Sequence, residues 1–140
     1  MSRRFVLFTL CALTASLAWR AEPTAADTVS AVDPIVRAYA KHLSNVQVES
    51  SGIVAKLLQD DNDGSRHQRI IVRLGSGQTI LIAHNINLAP RIEGLRVGAP
   101  ISFHGEYEWN NKGGVVHWTH RDPSGRHRAG WIHYADRTYQ

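Results

Sequence analysis

Residues 101–109, ISFHGEYEW, constrain this chain more than any other stretch. Ile101, Phe103, Tyr107 and Trp109 alternate with Ser102, His104, Glu106 and Glu108. A period of two separates an apolar face from a polar one, which a helix cannot do, so the segment is an amphipathic strand. Asn110-Asn111-Lys112-Gly113 is turn-forming, and residues 115–121 return as the partner strand. Inward residues must face inward ones, so the expected pairs are Val116 with Tyr107 and Trp118 with Gly105. The same register sets Glu106 opposite His117 on the polar face and Phe103 opposite His120 on the inner one.

Upstream the pattern repeats. Residues 66–74 and 78–84 read as strands joined by Gly75-Ser76-Gly77. That loop places Val72 opposite Ile80, Ile70 opposite Ile82 and Gln68 opposite His84, with His67, Arg69 and Arg73 on the outside. Residues 52–59 form an earlier strand that ends in the acidic turn Asp60-Asp61-Asn62-Asp63-Gly64. Residues 85–98, with Pro90 and two glycines, read as a loop. Before the strands, Asp33 can cap and Pro34 can open a helix that runs to about Ser44, with Ile35, Val36, Tyr39 and Leu43 on one face. Five strands, a break after the third, and glycines at 52, 75, 105 and 114 predict a mainly β fold. We expect a small five-stranded OB-like barrel with an N-terminal helix; a β-sandwich or another small barrel is the alternative.

The chain opens with Ser2-Arg3-Arg4, an apolar run over residues 5–15, and the small residues Ser16-Leu17-Ala18. This is the pattern of a signal peptide over residues 1–18, too short in its apolar part to span a bilayer. A polar, disordered leader over residues 19–30 and a single domain over residues 31–140 are expected to follow. The protein is then exported, periplasmic or extracellular, with no stable membrane anchor. Its one cysteine, Cys11, falls inside the signal segment. The mature domain would carry no thiol, which excludes disulfides, thiolate catalysis and cysteine zinc sites. A formal net charge of +4 and a pI near 9.6 suggest an anionic partner, nucleic acid, anionic glycan or the membrane surface, with ordinary solubility as the equal alternative, and the basic residues are scattered rather than blocked.

Chemistry concentrates in residues 113–128, GGVVHWTHRDPSGRHR. Imidazole is the commonest ligand for transition metals at neutral pH, so a divalent transition metal is the cofactor to test. His117 and His120 are three apart and point to opposite faces of a regular strand, so the candidate ligands divide. One set is His117 with Glu106 on the outer face, extended by Glu108 or His104. The other is His120 with His84, and Asp122 or His127, at the barrel mouth. The plain alternatives are a surface ion pair for the first set and core-edge hydrogen bonding for the second. Asp122-Pro123-Ser124-Gly125 is a type I turn sequence. In a functional reading it aims Arg126 and His127 toward His120, giving a catalytic group of His120, His127, Asp122 and Arg126 suited to phosphodiester hydrolysis. The acidic turn is not an EF-hand, because the required carboxylate positions fall on Gln59 and Ile70. For an anionic polymer, the outer strand-two face offers His67, Arg69 and Arg73, and Gln68 at the polar end of the inward face completes the ligand-binding set.

The segments GIVAKLLQDDNDGSRHQ, GQTILIAHNINLAPRI, GEYEWNNKGGVVHWTH and DPSGRHRAGWIH, with the final Tyr139-Gln140, resemble a family of small secreted bacterial proteins. It is the family catalogued as domain of unknown function 3465. The resemblance covers residues 52–140, with HWTH followed by DPxGRH as its specific signature. It implies a bacterial, exported, single-domain protein and supplies no activity or catalytic residues. Two functions remain from the residues themselves: a binding module for an anionic ligand or transition metal, and a metal-dependent phosphodiesterase or nuclease.

Overall fold

The computed structural model describes residues 32–140. The signal peptide expected over residues 1–18, the leader over 19–30 and Cys11 lie outside the described residues.

The helix α1, Pro34–Ala40, opens as the sequence demands: the Ile35 N–H donates to Asp33 Oδ1 at 2.8 Å, with proline in the first turn. It stops short of Ser44. His42 takes a φ of 52°, its N–H reaches the Tyr39 carbonyl at 3.1 Å, and the Leu43 N–H reaches the Ala38 carbonyl at 2.9 Å. These two bonds satisfy carbonyls that the helix end would otherwise strand. They also turn Leu43 outward, 42% exposed, so Ile35 and Ala38 carry the helix onto the core instead.

β1, Val46–Leu57, begins earlier than expected because it serves two partners. Its first part, from Val46 to Ile53, pairs antiparallel with β4, Pro100–Glu108. Its second part, from Gly52 to Leu57, pairs with β2, His67–Leu74. Gly52 sits where the two pairings overlap. A Cβ there would collide with the Arg73 carbonyl, so glycine is what lets the strand pass so close. β2 and β3, Thr79–Asn85, form a hairpin with Val72 opposite Ile80, Ile70 opposite Ile82 and Gln68 opposite His84, the expected register. β3 then runs parallel to β5, Val115–His117, which pairs antiparallel with β4. With the β1–β4 pairing, the order β1-β2-β3-β5-β4 closes a five-stranded barrel of the OB type. Closure removes the exposed edges that an open sheet of this size would carry.

The β4–β5 hairpin keeps two of its four expected pairs. Tyr107 faces Val116 and Glu106 faces His117. The pairs Trp118–Gly105 and Phe103–His120 do not form. Trp118 adopts a φ of 53° and takes the chain off the ladder after His117. Thr119, fully buried, packs over Gly105 in place of the tryptophan. The released edge of β4 is taken by β6, Trp131–Tyr134, which sets Ile132 opposite Phe103. β7, Arg137–Tyr139, folds back on β6. This second hairpin extends the sheet beyond the barrel, and Ile132 closes the core while Trp131 stays half-buried. The core itself is Phe103, Tyr107, Ile70, Ile82, Val116 and Ile132, all fully buried. Each such side chain contributes about 1.5–3 kcal/mol relative to exposure. Among the described residues, no helix is long and apolar enough to cross a membrane.

Candidate metal centre on the outer face

The outer face of β4 is where the polar residues of several strands meet. Strand alternation points His104, Glu106 and Glu108 outward, pairing with β5 brings in His117, and pairing with β1 brings in Gln47. His117 Nε2 lies 3.8 Å from Glu106 Oε1 and 3.9 Å from Glu108 Oε1. One ligand atom from each of these three side chains falls within 4.8 Å of the others. Donors about 2.0–2.2 Å from a tetrahedral ion stand about 3.4 Å apart, so the two separations from His117 exceed that spacing by about half an ångström.

The rest of the site holds these groups in place. Glu106 Oε2 accepts from Gln47 Nε2 at 3.1 Å and meets His127 Nε2 at 2.9 Å, which leaves Oε1 facing His117. Glu108 Oε1 accepts the Asn45 backbone N–H at 3.2 Å. His127 is stacked on Trp118, with ring centroids 3.9 Å apart and planes within 9°. The left-handed backbone at Trp118 thus swings an aromatic plate onto the outer face, and the plate positions the histidine that holds Glu106.

Three buried polar atoms on this face have no hydrogen-bond partner among the described residues: Gln47 Oε1, His104 Nδ1 and His117 Nε2. Buried polar atoms are nearly always paired, so three on one face of the sheet call for an account. An ion pair does not provide it for His117. Separations of 3.8 and 3.9 Å are too long for hydrogen bonds. The two influences on the ring oppose each other. Burial drives the His117 pKa below its ordinary range, and the carboxylates of Glu106 and Glu108 pull it back up only in part. Burial is the larger influence, and it keeps the ring neutral. Neutral imidazole is the form that ligates metal.

The other expected set does not gather. His84 is fully buried, its Nε2–H donating to the Pro90 carbonyl at 3.1 Å and its Nδ1 accepting from the Thr119 hydroxyl at 2.8 Å. Both ring nitrogens are spent on the fold, and desolvation lowers the pKa to about 4. His120 donates Nδ1–H to the Arg121 carbonyl at 2.8 Å and packs against Trp118. Asp122 ties its own loop, accepting from Ser124 Oγ and from the backbone N–H groups of Ser124, Arg126 and His127 at 2.7–2.9 Å. The Ser124 hydroxyl foremost, then these amides, hold its carboxyl well below the usual range. Arg126 Nε turns to Ser124 Oγ at 3.1 Å. His127, placed by its sequence beside His120, reaches Glu106 instead. Among the described residues, His84, His120, Asp122 and His127 do not bring three ligand atoms within 4.8 Å of one another.

The anionic-ligand set also divides. His67 and Arg69 border a groove of about 350 Å³ that reaches Glu108 and His117. Arg73 lines a different cavity, about 550 Å³ at the β1–β4–β6 junction. That cavity is larger, but it shares no residue with the Glu106–Glu108–His117 cluster. Gln68 is buried and bonded twice to Ile92, donating from Nε2 to its carbonyl at 3.2 Å and accepting its N–H at 2.9 Å. In the acidic turn, Asp60 forms a paired contact with Arg91 at 2.5 and 3.1 Å. Gln47 and Thr119 had no signal in the sequence. Each acts through a partner 59 or 35 residues away in the chain.

A closed OB-type barrel with a carboxylate–imidazole cluster on its outer face is therefore the class of protein that the structure defines. The family profile described as protein of unknown function (DUF3465) matches residues 13–140, and the chain belongs to that family. No curated protein matches the chain.

Proposed function

We propose that this protein is an exported bacterial metal-binding module that holds one divalent transition-metal ion on the outer face of its barrel. Glu106, Glu108 and His117 are the ligands. Gln47 and His127 orient Glu106, as outer-shell hydrogen bonds orient metal-bound carboxylates. The convergence of one imidazole and two carboxylates on the partnerless His117 Nε2 carries this reading. One nitrogen and two oxygens suit zinc, manganese or ferrous iron better than copper(I), which prefers sulfur. Three protein ligands leave coordination positions open, as in sites that engage a further molecule. Export rests on the basic-then-apolar opening of residues 1–18 and on the secreted character of the family that the sequence resembles.

The phosphodiesterase reading required His120, His84, His127 and Asp122 around one ion, and their hydrogen bonds turn them to separate partners. The test is metal content of the untagged mature protein by elemental mass spectrometry, with zinc titration by calorimetry. About one equivalent of zinc should bind to the wild type and to His120→Ala, and be lost in His117→Ala and Glu106→Gln. A folded wild type that takes up no divalent metal, or a His117→Ala variant that binds as well, overturns the proposal.

A further inference from the structure

The groove beside the cluster has a composition that a solvent-facing sheet does not ordinarily have. Outward positions of an exposed strand are normally polar. Here β3 turns Leu81 and Ala83 outward and β5 turns Val115 outward, and all three line the groove of about 350 Å³ together with Glu108 and His117. On the far wall β2 supplies Arg69, paired across the strands with Ala83. Arg69 Nε donates to the Gln59 carbonyl at 2.9 Å, which fixes the plane of its guanidinium. Its terminal amino groups make no hydrogen bond among the described residues. Asp61, also on the rim, directs Oδ1 to the Asp63 N–H.

β3 pairs with β5 at Leu81–Val115, so two residues further along both parallel strands Ala83 lies beside His117. The transverse row is therefore Arg69, Ala83, His117, Glu106. Arg69 and His117 are two strand spacings apart, about 9–10 Å between backbones. Between them stands the smallest side chain that still gives an apolar floor. The groove thus has a fixed cation at one end, the proposed metal at the other and an apolar floor between, with Asp61 and His67 on its rim.

We infer that this groove binds a short organic diacid, one carboxylate on the open positions of the metal and the other on the guanidinium of Arg69, its methylene chain lying over Ala83. The inference rests on the metal reading above. With the two side chains projecting side by side, the spacing of about 9–10 Å, less a metal–oxygen bond of about 2 Å and a guanidinium–carboxylate hydrogen bond of about 2.8 Å, leaves about 5 Å, the carboxyl-to-carboxyl reach of a five-carbon diacid. A polyanion fits less well, because Arg73 lines another cavity and leaves Arg69 as the one arginine on this groove among the described residues.

The experiment uses the full mature chain loaded with zinc, titrated with glutarate and, as a one-ended control, with acetate. Glutarate should bind at least about tenfold more tightly than acetate. Arg69→Met should bring glutarate down to the level of acetate while zinc and acetate affinities hold. Ala83→Phe should block glutarate with zinc retained, which separates filling of the groove from loss of the metal. Zinc binding with no preference for glutarate, or a preference that survives Arg69→Met, overturns the inference and leaves the metal site standing. Failure of zinc itself to bind overturns both.

Discussion

Acidification should destabilise this barrel through His84 before most carboxylates titrate. In the folded protein the ring is fully buried between Pro90 and Thr119, and desolvation lowers its pKa from 6.5 to about 4. An unfolded chain therefore binds the proton more readily than the native state across that interval. Stability rises with pH there: the contribution is complete above about pH 6.5 and disappears as pH falls toward 4. With these two pKa values the linkage relation gives a loss of about 1.4 kcal/mol at pH 5.5 and about 3 kcal/mol at pH 4. That is a large share of the roughly 5–15 kcal/mol that holds a domain of this size. The assay is urea unfolding at pH 7, 5.5 and 4 for the wild type and for His84→Gln, whose amide cannot titrate. The variant can be less stable at every pH, since it disturbs two buried hydrogen bonds. The informative quantity is the difference in slope, which should approach about 3 kcal/mol between pH 7 and 4. Parallel profiles would refute the reasoning, and so would a His84 pKa near 6.5 in a folded-state NMR titration.

Two further perturbations test how the fold positions the site. Gly105→Ala should destabilise by about 1–3 kcal/mol, because the new methyl meets the His117 carbonyl and lies 2.9 Å from Val116 Cγ1. Since relief of that clash displaces β5, zinc affinity should fall with stability; an unchanged melting temperature would remove the close β4–β5 packing from the account. Asp122→Ala should leave global stability nearly unchanged but speed amide exchange at Ser124, Arg126 and His127, which lose their acceptor. Because His127 then loosens its hold on Glu106, zinc affinity should weaken without vanishing, and full retention would detach the loop from the site.

Local pattern informs the fold as far as His117 and no further. Alternation in residues 101–109 and the short Gly75-Ser76-Gly77 loop define faces and register, because a slip of one residue would turn an entire apolar set outward. The Gln68–His84 and Glu106–His117 pairs follow from that alone, and both form. The five-stranded barrel was legible for the same reason. The sequence did not reveal the break at Trp118. Its left-handed backbone is adopted because the edge of β4 gains Ile132 opposite Phe103, a pairing 29 residues apart that no local preference encodes.

The division of the histidines follows the same line. By itself the sequence determined that imidazoles and carboxylates share one face of a β-hairpin, since strand periodicity is local and covalent geometry enforces it. Only the tertiary structure decided which of them meet. His84 is spent on the core because Thr119 and Pro90 close over it, and His127 crosses to Glu106 because the Trp118 ring turns outward to receive it. Gln47 completes the cluster through the β1–β4 closure, whose register is set by burial of Val48, Phe103 and Tyr107 rather than by any preference of the glutamine.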